Sequence, residues 1–425
     1  MNTKSRQPDP ATCMDDFDPN SLPAEQALQR IRETVPVIGK TQTLAIRDAL
    51  DKVLAQNVTS PINVPSYTNS AMDGYAIRSI DLASNADKRF SLAGTVMAGA
   101  PLDRETQANE CVRIMTGGKM PSGTDTVVMQ EHVTRENDTI VVNRDVQPGQ
   151  NVRHAGEDIK QGQLVLEHGR RLNPADIGLL ASLGIARVEV YQPLNVAFFS
   201  TGDELVSLGE PLQEGQIYDS NRYTLFAMLQ RFGANIIDLG VIKDDRQTVE
   251  QAFESAAQQA DVLITTGGVS VGDADYVKET LEKLGHVNFW KIAMKPGRPL
   301  AFGELKQHDC FFFGLPGNPV STMVTFYMLV LPALQKMQGE TTQPVMTLQA
   351  TCTTALRKLA GRVEYQRGML ETNQNGELTV RSVGEQGSHI LSSMSKSNCF
   401  IILPMECGNV EANTAVTVLP FWSLM

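Results

Sequence analysis

The feature that most constrains the fold is a regular alternation of strand-like and helix-like runs from Pro193 to about Gln338. Such alternation predicts a parallel, doubly wound sheet with helices on both faces. The predicted strands are Asn195–Ser200, Ile236–Val241, Val262–Thr265, Phe289–Ile292 and Cys310–Phe313, and the predicted helices are Arg222–Phe232, Gln247–Gln259, Asp275–Leu284 and Val320–Met337. Open sheets of this kind bind ligands outside the carboxyl ends of their strands, so the site is expected in the turns that follow these strands.

The flanking sequence predicts smaller domains around this mostly parallel α/β domain. Apolar residues at helical spacing after Ala24 and again from Leu44 to Leu54, and a helix that begins at the Asn173–Pro174 cap, predict a helical linker domain in two stretches. Short β-like runs separated by Gly and Pro predict an inserted β module and a small C-terminal β-barrel. The predicted boundaries are a disordered tail at 1–22, the helical linker domain at 23–64 and 156–192, the inserted β module at 65–155, the α/β domain at 193–340 and the β-barrel at 341–425.

Composition limits the classes of function. The formal net charge of −11 argues against a general surface for nucleic acid or anionic membranes, so an anionic substrate needs a local basic pocket or a metal ion. The six cysteines contain no C-x-x-C pair, and Cys310 and Cys399 lie in apolar runs, which indicates reduced core thiols and a cytoplasmic protein. The polar start of the chain is not typical of a signal peptide, and no apolar run approaches the roughly 20 residues that span a bilayer.

Two turns after predicted strands carry acidic residues. Phe199–Glu204 supplies a glycine for a tight turn and two acids, although a helix cap with a solvated Glu explains it equally well. Thr265–Asp275 is rich in glycine and precedes a helix, so its backbone N–H groups suit a phosphate. It is neither G-x-G-x-x-G nor a Walker loop. Asp273 and Asp275 would repel a bare phosphate, but they fit if a cation such as Mg²⁺ lies between these acids and the phosphate. The structural alternative is an acidic helix start, which the helix dipole favours.

Two further turns suit an anion. Lys291, Lys295 and Arg298 fall in a stretch without acids that prolines and Gly297 stiffen, which predicts an oxyanion trap; ordinary surface lysines are the alternative. In the turn after Phe313, the side chain of Asn318 can cap the next helix and Ser321 offers a hydroxyl and an N–H to an anion, although a well-formed helix start alone explains this pattern. Together the turns predict a metal-assisted phosphate or oxyanion site.

Eight ordered motifs carry a resemblance to a known family. They are Asn69–Ala76, Ile114–Gly118, Gly156–Ile159, Ser200–Glu204, Ile217–Asn221, Gly267–Asp275, Lys295–Pro299 and Leu315–Ser321. In this order they resemble the molybdopterin molybdenumtransferases, the MoeA and gephyrin E-domain family, over the chain from about Pro23 to its end. One departure is Arg298, where the family often has Lys, because a planar guanidinium changes the geometry offered to an oxyanion.

The resemblance implies a function, a reaction and an assembly. The expected enzyme inserts molybdate into adenylyl-molybdopterin with Mg²⁺ and releases AMP. The expected assembly is a homodimer whose active site lies between subunits, with an adenylyltransferase as a possible protein partner and with neither nucleic acid nor membrane. The alternatives are a non-catalytic scaffold on the same fold, and an adenylyltransferase that acts one step earlier. The additional domains and Lys295–Pro299 favour the later step.

The resemblance also assigns roles to individual residues. The expected catalytic residues are Asp73, Thr116, Glu204, Asp275, Lys291 and Lys295. The expected substrate-binding residues are Gly267, Gly268, Ser270, Asp158, Arg298, Ser321, Asn318, Arg367 and Ser388. The expected metal ligands are Glu204, Asp244 and Asp275. The structural alternative for Asp73 and Thr116 is a pair of residues that cap a turn.

Overall fold

The structure, a computed structural model, describes residues 20–84, 87–243, 245–267, 280–281, 283, 285–305, 308–341 and 344–424. The chain divides into two compact units. One unit, called here the inserted unit, is Thr43–Val190, and the other, the main unit, combines the chain before and after it. The α/β domain and the C-terminal β-barrel both belong to the main unit.

The secondary structure follows in chain order. The described helices are α1 Ala24–Thr34, α2 Ser79–Ser84, α3 Pro174–Ser182, α4 Ser220–Phe232, α5 Arg246–Ala257, α6 Pro319–Thr325, α7 Leu331–Met337 and α8 Leu391–Ser395, with a π-helical turn at Phe326–Val330 and 3-10 turns at Ile46–Asp48, Gln130–His132 and Phe421–Ser423. The described strands are β1 Thr41–Ala45, β2 Val58–Thr59, β3 Asn69–Ser70, β4 Gly74–Ile77, β5 Arg89–Val96, β6 Glu110–Ile114, β7 Thr126–Met129, β8 Val133–Glu136, β9 Thr139–Val142, β10 Val152–Arg153, β11 Leu164–Leu166, β12 Arg187–Tyr191, β13 Asn195–Thr201, β14 Leu205–Val206, β15 Ile217–Tyr218, β16 Asn235–Ile242, β17 Val262–Thr266, β18 Gly285–Lys291, β19 Met294–Lys295, β20 Pro299–Leu305, β21 Cys310–Leu315, β22 Leu348–Cys352, β23 Val363–Thr372, β24 Leu378–Ser382, β25 Cys399–Leu403 and β26 Thr414–Pro420.

The α/β domain is built on a six-stranded sheet in the order β16-β13-β17-β21-β20-β18. The first four strands are parallel, whereas β20 runs antiparallel to both of its neighbours. Two reversals restore the direction, so β18 again runs parallel to β21. The carboxyl ends of β13, β17, β21 and β18 therefore lie along one edge of the sheet, as the alternation predicts.

Strand β20 is absent from the sequence predictions because its residues resemble a loop. Pro299 opens the strand, where a missing N–H costs least, and Gly303 interrupts its apolar run. The glycine is required by close strand approach, since a Cβ there would lie 2.1 Å from the carbonyl oxygen of His286. Of the predicted helix Asp275–Leu284, positions 280, 281 and 283 are helical, and the remainder lies outside the described residues.

Alternate residues of the central strands enter two separate cores. In β13, Val196 and Phe198 pack with α1, α4 and α6 on one face, whereas Ala197 and Phe199 pack with Phe253 of α5 on the other. The sheet is thus covered on both faces, which confirms the doubly wound prediction. Burial raises the pKa of the Cys310 and Cys399 thiols to about 12, so both are inert core thiols as predicted.

The helical segment from Pro319 to Met337 is continuous through a π-helical turn. Pro332 lacks an N–H and cannot complete a regular α-helical bond there, and the wider turn at Phe326–Val330 precedes it. This segment is long and apolar enough for a bilayer span, so the sequence prediction that no run approaches that length is wrong. It is nevertheless 72% buried over the relevant window, as a helix in the core of the α/β domain.

The C-terminal domain is a closed barrel. Strand β23 pairs with both β24 and β25, which closes the order β23-β24-β22-β26-β25. Ala350, Cys352, Ile401 and Val418 fill its interior. The short strand β19 of the α/β domain adds to β23 in parallel. The predicted β-barrel is therefore confirmed, and it is joined to the α/β domain by a shared strand pairing.

The inserted unit contains a six-stranded sheet in the order β7-β4-β6-β5-β9-β8. Its helix α3 begins as predicted, because Asn173 and Asp176 form a reciprocal capping box and Pro174 occupies the first turn. The prediction of a helix from Leu44 to Leu54 is wrong. Strand β1 and one 3-10 turn occupy this stretch, and Asp51 adopts a left-handed conformation with φ of 61° that no α-helix accommodates.

Candidate functional site

Three described turns meet at the carboxyl edge of the central sheet. Gly267, after β17, has φ of 89°, and a Cβ there would lie 2.6 Å from the carbonyl oxygen of Thr201 at the end of β13. A Cβ on Gly317, after β21, would lie 3.9 Å from the Cα of Gly267. Only glycine permits the approach at Gly267, and the ordinary van der Waals distance at Gly317 places the turns after β13, β17 and β21 as direct neighbours.

Of the three predicted metal ligands, Glu204 lies within the described residues. Glu204 is exposed, and its carboxylate folds back over its own turn, 2.6 Å from where a Cβ on Gly202 would lie. Gly268, Ser270, Asp244 and Asp275 lie outside the described residues. Within the described ranges, no group of three His, Cys, Asp or Glu side chains is placed to hold a metal ion. An exposed carboxylate suits Mg²⁺, and Glu204 supplies one.

The loop that follows β18 carries the predicted cations and is held from several sides. The N–H of Ile292 donates to the carbonyl of Arg298 at 2.6 Å, and the N–H of Val363 in the barrel donates to Ala293 at 3.0 Å. The N–H of Leu22 donates to the carbonyl of Lys291 at 2.7 Å. Leu22, the last residue of the predicted disordered tail, is therefore ordered. These bonds fix the backbone on which the cationic side chains are mounted.

Gly297 and Lys295 complete the support of this cationic loop, residues 291–298. Gly297 has φ of 109°, and a Cβ there would lie 2.6 Å from the Thr325 hydroxyl on α6. The Lys295 ammonium lies 3.7 Å from the Glu364 carboxylate, which is only 4% exposed and accepts a hydrogen bond from Gln366. Lys295 itself is 37% exposed, so one side of its charge faces the barrel and the other remains accessible.

The start of α6 differs from the prediction in its cap. Asn318 occupies the cap position, but its side chain makes no capping hydrogen bond, so that detail is wrong. The carbonyl of Ser388 instead accepts the N–H of Val320 at 3.1 Å, and the Thr322 hydroxyl donates to the carbonyl of Pro316 at 2.6 Å. Ser321 is buried in the first turn of the helix. Ser388 thus reaches this helix from the barrel through its main chain.

Arg367 is the most deeply buried charged residue among those expected to bind substrate. It is 1% exposed, and its guanidinium donates to the Ser393 hydroxyl at 3.0 Å and to the carbonyls of Gly387 and Glu385 at 3.0 and 3.3 Å. Burial lowers the pKa of Arg367 to about 10, so the side chain stays charged at neutral pH. Its donors hold the loop that contains Ser388.

In the inserted unit, Asp73 and Thr116 form a hydrogen-bonded pair. The N–H and the hydroxyl of Thr116 donate to Asp73 Oδ1 at 2.7 and 2.8 Å, and these bonds lower the pKa of the Asp73 carboxyl below its usual 3.8. Gly74 sets Asp73 at the strand start, because a Cβ at Gly74 would lie 2.0 Å from the carbonyl oxygen of Val128. Asp158 is exposed in the same unit.

Sequence reasoning missed the polar residues that line the inner side of the edge. Ser200 and Thr266 share a hydrogen bond of 2.9 Å between their buried hydroxyls. Asp219 caps α4 by accepting the N–H of Arg222 at 3.1 Å, and the Asn221 amide donates to the carbonyl of Gly317 at 2.7 Å. Asp219 and Asn221 belong to the motif Ile217–Asn221, which was recognised in the sequence but predicted no role for either residue.

Comparison with known proteins identifies related chains along nearly the whole length. Protein-family models match at residues 22–184 (MoeA N-terminal region, domains I and II), at 197–336 (probable molybdopterin binding domain) and at 349–421 (MoeA C-terminal region, domain IV).

Individual relatives agree with these family matches. A molybdopterin molybdenumtransferase of Haemophilus influenzae is 49% identical over 406 residues, covering 95% of this chain and 100% of the relative. One of Bacillus subtilis is 34% identical and covers 94% of each chain. The crystal structure of the molybdopterin biosynthesis moeA protein of Pyrococcus horikoshii superposes with a TM-score of 0.82 at 30% identity, covering 94% of this chain and 100% of that one.

Proposed function

The chain belongs to the molybdopterin molybdenumtransferase family, transferases of molybdenum cofactor biosynthesis, and we propose that it inserts molybdate into adenylyl-molybdopterin and releases AMP. The observation that carries this proposal is the placement of a glycine turn, a cationic loop and the start of α6 at one edge of the central sheet. Backbone N–H groups at such turns bind phosphates, and cations beside them bind oxyanions.

The proposed chemistry divides between two neighbouring anions. Gly267, with Gly268 and Ser270, would hold the phosphate of the nucleotide, whereas Lys295, Arg298 and Ser321 would hold molybdate. In the reaction water would add to the AMP phosphorus and the P–O bond to the pterin phosphate would break, which releases AMP. The two dithiolene sulfurs would bond to molybdenum as one Mo–O bond breaks, and that oxygen would leave as water with the two thiol protons. Lys291 and Lys295 would neutralise the charge that develops on oxygen. Asn318 and Ser388 would position the start of α6, and Arg367 would act through the Ser388 loop.

Magnesium enters the proposal through the donor set. Glu204 would contribute a carboxylate oxygen together with Asp244 and Asp275, and hard oxygen ligands are those that Mg²⁺ prefers. When bound, the ion would neutralise charge on the phosphate oxygens and so favour departure of AMP.

We further propose a cytoplasmic homodimer in which Asp73, Thr116 and Asp158 act from the partner subunit, and an adenylyltransferase as the partner that delivers the substrate. Unpaired apolar surface supports self-association. Leu208, Leu212, Ile217, Tyr218 and Tyr223 are large, exposed apolar side chains within one short stretch of the α/β domain. Inert reduced thiols at Cys310 and Cys399 agree with a reducing compartment.

The test is AMP release by the purified protein supplied with adenylyl-molybdopterin, Mg²⁺ and molybdate. We expect AMP release that depends on molybdate, and its loss in Lys295→Met. Lys283→Met is the matched control, because Lys283 pairs with Glu250 on the helical surface and its loss leaves the rate unchanged. Absence of AMP release under every condition would favour the scaffold. In a parallel assay without molybdate, transfer of AMP from ATP to molybdopterin with release of pyrophosphate would favour the earlier step.

A further inference from the structure

Two buried hydrogen-bond acceptors at the first turn of α4 lack partners. Asp219 is 3% exposed, and its Oδ2 accepts no hydrogen bond from the described residues. The Oδ1 atom of Asn221 is likewise inaccessible to solvent and has no donor within the described part of the chain. A buried acceptor without a partner destabilises the fold, so sites that keep such atoms commonly use them for a ligand.

The remaining bonds of these two residues fix the orientation of both side chains. The other Asp219 oxygen, Oδ1, caps α4 by accepting the N–H of Arg222. The Asn221 amide nitrogen donates to the carbonyl of Gly317 at 2.7 Å, and because a carbonyl cannot donate, the amide cannot be flipped. Each side chain is therefore anchored through one atom and leaves one oxygen unused.

This pair adjoins the edge that carries the proposed site. Gly317 receives the bond from Asn221, and the same glycine lies against Gly267 in the proposed phosphate turn. The first turn of α4 is thereby tied to the turns after β17 and β21. The motif Ile217–Asn221, which had no role in the proposed reaction, supplies both residues.

The chemistry of the pair selects a neutral donor. A carboxylate and an amide oxygen repel phosphate and molybdate, so the pair does not extend the anion site. A cation is disfavoured because the Arg222 guanidinium interacts with Asp219 and also pairs with Asp238 at 2.8 Å. Neutral N–H or O–H groups of a ligand satisfy acceptors without adding charge.

We infer that Asp219 and Asn221 form a subsite that accepts hydrogen bonds from the uncharged donor groups of the substrate. The inference rests on the proposed function, whose substrate carries two such groups: the ribose hydroxyls of the nucleotide and the N–H edge of the pterin. Acidic side chains at the carboxyl edge of α/β sheets recognise ribose in this way, and carboxylates also pair with adjacent N–H donors.

The test uses two substitutions that preserve the helix cap. Asp219→Asn keeps an oxygen for the Arg222 N–H but replaces the unused acceptor by a donor, and Asp219→Ser keeps a capping hydroxyl without the second oxygen. Asp245→Asn is the matched control, because Asp245 caps α5 through the Thr248 N–H but is exposed. Calorimetry on the full chain would use AMP, 2′-deoxy-AMP, 3′-deoxy-AMP and 2-amino-4-oxopteridine, and thermal melting would report folding.

We expect both Asp219 variants to melt like the wild type and to lose about tenfold or more in affinity for one probe. Loss for AMP but not for a deoxy analogue assigns the ribose, and loss for the pteridine alone assigns the pterin. Equal binding of all four probes by variants and wild type overturns the subsite, as does failure of the wild type to bind any of them. A Mn²⁺ affinity that falls in Asp219→Asn while the organic probes are unaffected overturns it in favour of a cation site. None of these binding measurements uses the AMP-release assay, so failure of the subsite and failure of the proposed function can be distinguished.

Discussion

The cationic loop of the main unit and the Asp73–Thr116 pair of the inserted unit hold candidate site residues in different ways. The loop is fixed by distant parts of the chain: Leu22, the barrel strand β23 and helix α6. Asp73 is fixed by one neighbouring turn, through the N–H and the hydroxyl of Thr116. The first arrangement depends on packing among several parts of the main unit, and the second on two hydrogen bonds from one residue that lies 43 positions away in the chain.

This difference has a consequence for robustness. A loop held from several domains is sensitive to substitutions far from the reacting atoms, because displacement of any support moves the ammonium group. The Asp73 side chain is held by hydrogen bonds from Thr116 and positioned by the adjacent Gly74, so it should be sensitive to few substitutions. The comparison can be tested by matched substitutions in the two regions.

The largest effect is expected for Gly297→Ala, with Gly117→Ala beside Thr116 as its counterpart. Both glycines have positive φ, but a Cβ at Gly297 would lie 2.6 Å from the Thr325 hydroxyl, whereas nothing lies within 4 Å at Gly117. Alanine strains the backbone at both positions, more at Gly297 with φ of 109° than at Gly117 with φ of 78°. At Gly297 the added crowding also displaces the cationic loop, so Gly297→Ala should lower AMP release about 100-fold more than Gly117→Ala. Equal losses in a steady-state assay would show that the loop tolerates displacement.

The next effect is on stability, in Arg367→Met. Removing the guanidinium takes away the donor to the buried Ser393 hydroxyl and to the partly buried carbonyls of Gly387 and Glu385, so the free energy of unfolding should fall by about 3 kcal/mol. Arg381→Met, which breaks an exposed pair with Glu371 on the same barrel, should cost less than about 1 kcal/mol. Urea unfolding measures both, and similar losses would contradict a structural role for Arg367.

A smaller effect is expected for Glu364→Gln. The substitution keeps an oxygen for the Gln366 amide but removes the negative charge 3.7 Å from Lys295. The loop becomes more positive, so the KM for molybdate should fall by up to about fivefold, the range of a partly exposed ion pair. Glu377→Gln, exposed elsewhere on the barrel, serves as the control. An unchanged KM in both variants would mean that the charge of Lys295 does not reach the oxyanion.

The smallest effect is a titration shift in Thr116→Val. Hydrogen bonds from Thr116 lower the pKa of Asp73, and removing the hydroxyl should raise that pKa toward 3.8, as carboxyl NMR would show. A depressed folded-state pKa contributes stability above the unfolded value of 3.8, and that contribution is lost as pH falls through the folded value. Thr116→Val brings the two pKa values closer together, so the contribution of Asp73 to stability at neutral pH becomes smaller. Thr124→Val is the control, since its hydroxyl bonds Pro121. An unchanged pKa of Asp73 in Thr116→Val would show that the hydrogen bond from the backbone N–H alone lowers it.

The sequence predicted the central fold because strand and helix periodicities there are local and unambiguous. The predicted strand Val262–Thr265 matches β17 to within one residue, and the Asn173 cap forms as predicted. Strand β20 was missed because Pro299 and Gly303 carry a loop-like composition that only the close approach of β18 explains. The 44–54 helix was wrongly predicted because apolar spacing alone does not reveal that Asp51 turns left-handed.

Within the site, residue types and turns were predictable, whereas long-range partners were not. Nothing near Lys295 in the sequence identifies Glu364 as its neighbour, since the two meet through the pairing of β19 with β23. Likewise the burial of Arg367 and the use of the Ser388 carbonyl depend on how the closed barrel sits on α6. Such contacts arise from packing, which local periodicity does not encode.

Because strand β20 is antiparallel to both of its neighbours, the number of strands between β18 and β21 decides at which edge of the sheet the cationic loop lies. An even number of direction changes separates β21 from β18, so the lysines emerge beside the glycine turns. Inserting or deleting a single strand between them would place that loop at the opposite edge of the sheet and separate the proposed anion-binding groups. Relatives that vary in length here should therefore gain or lose strands only in pairs.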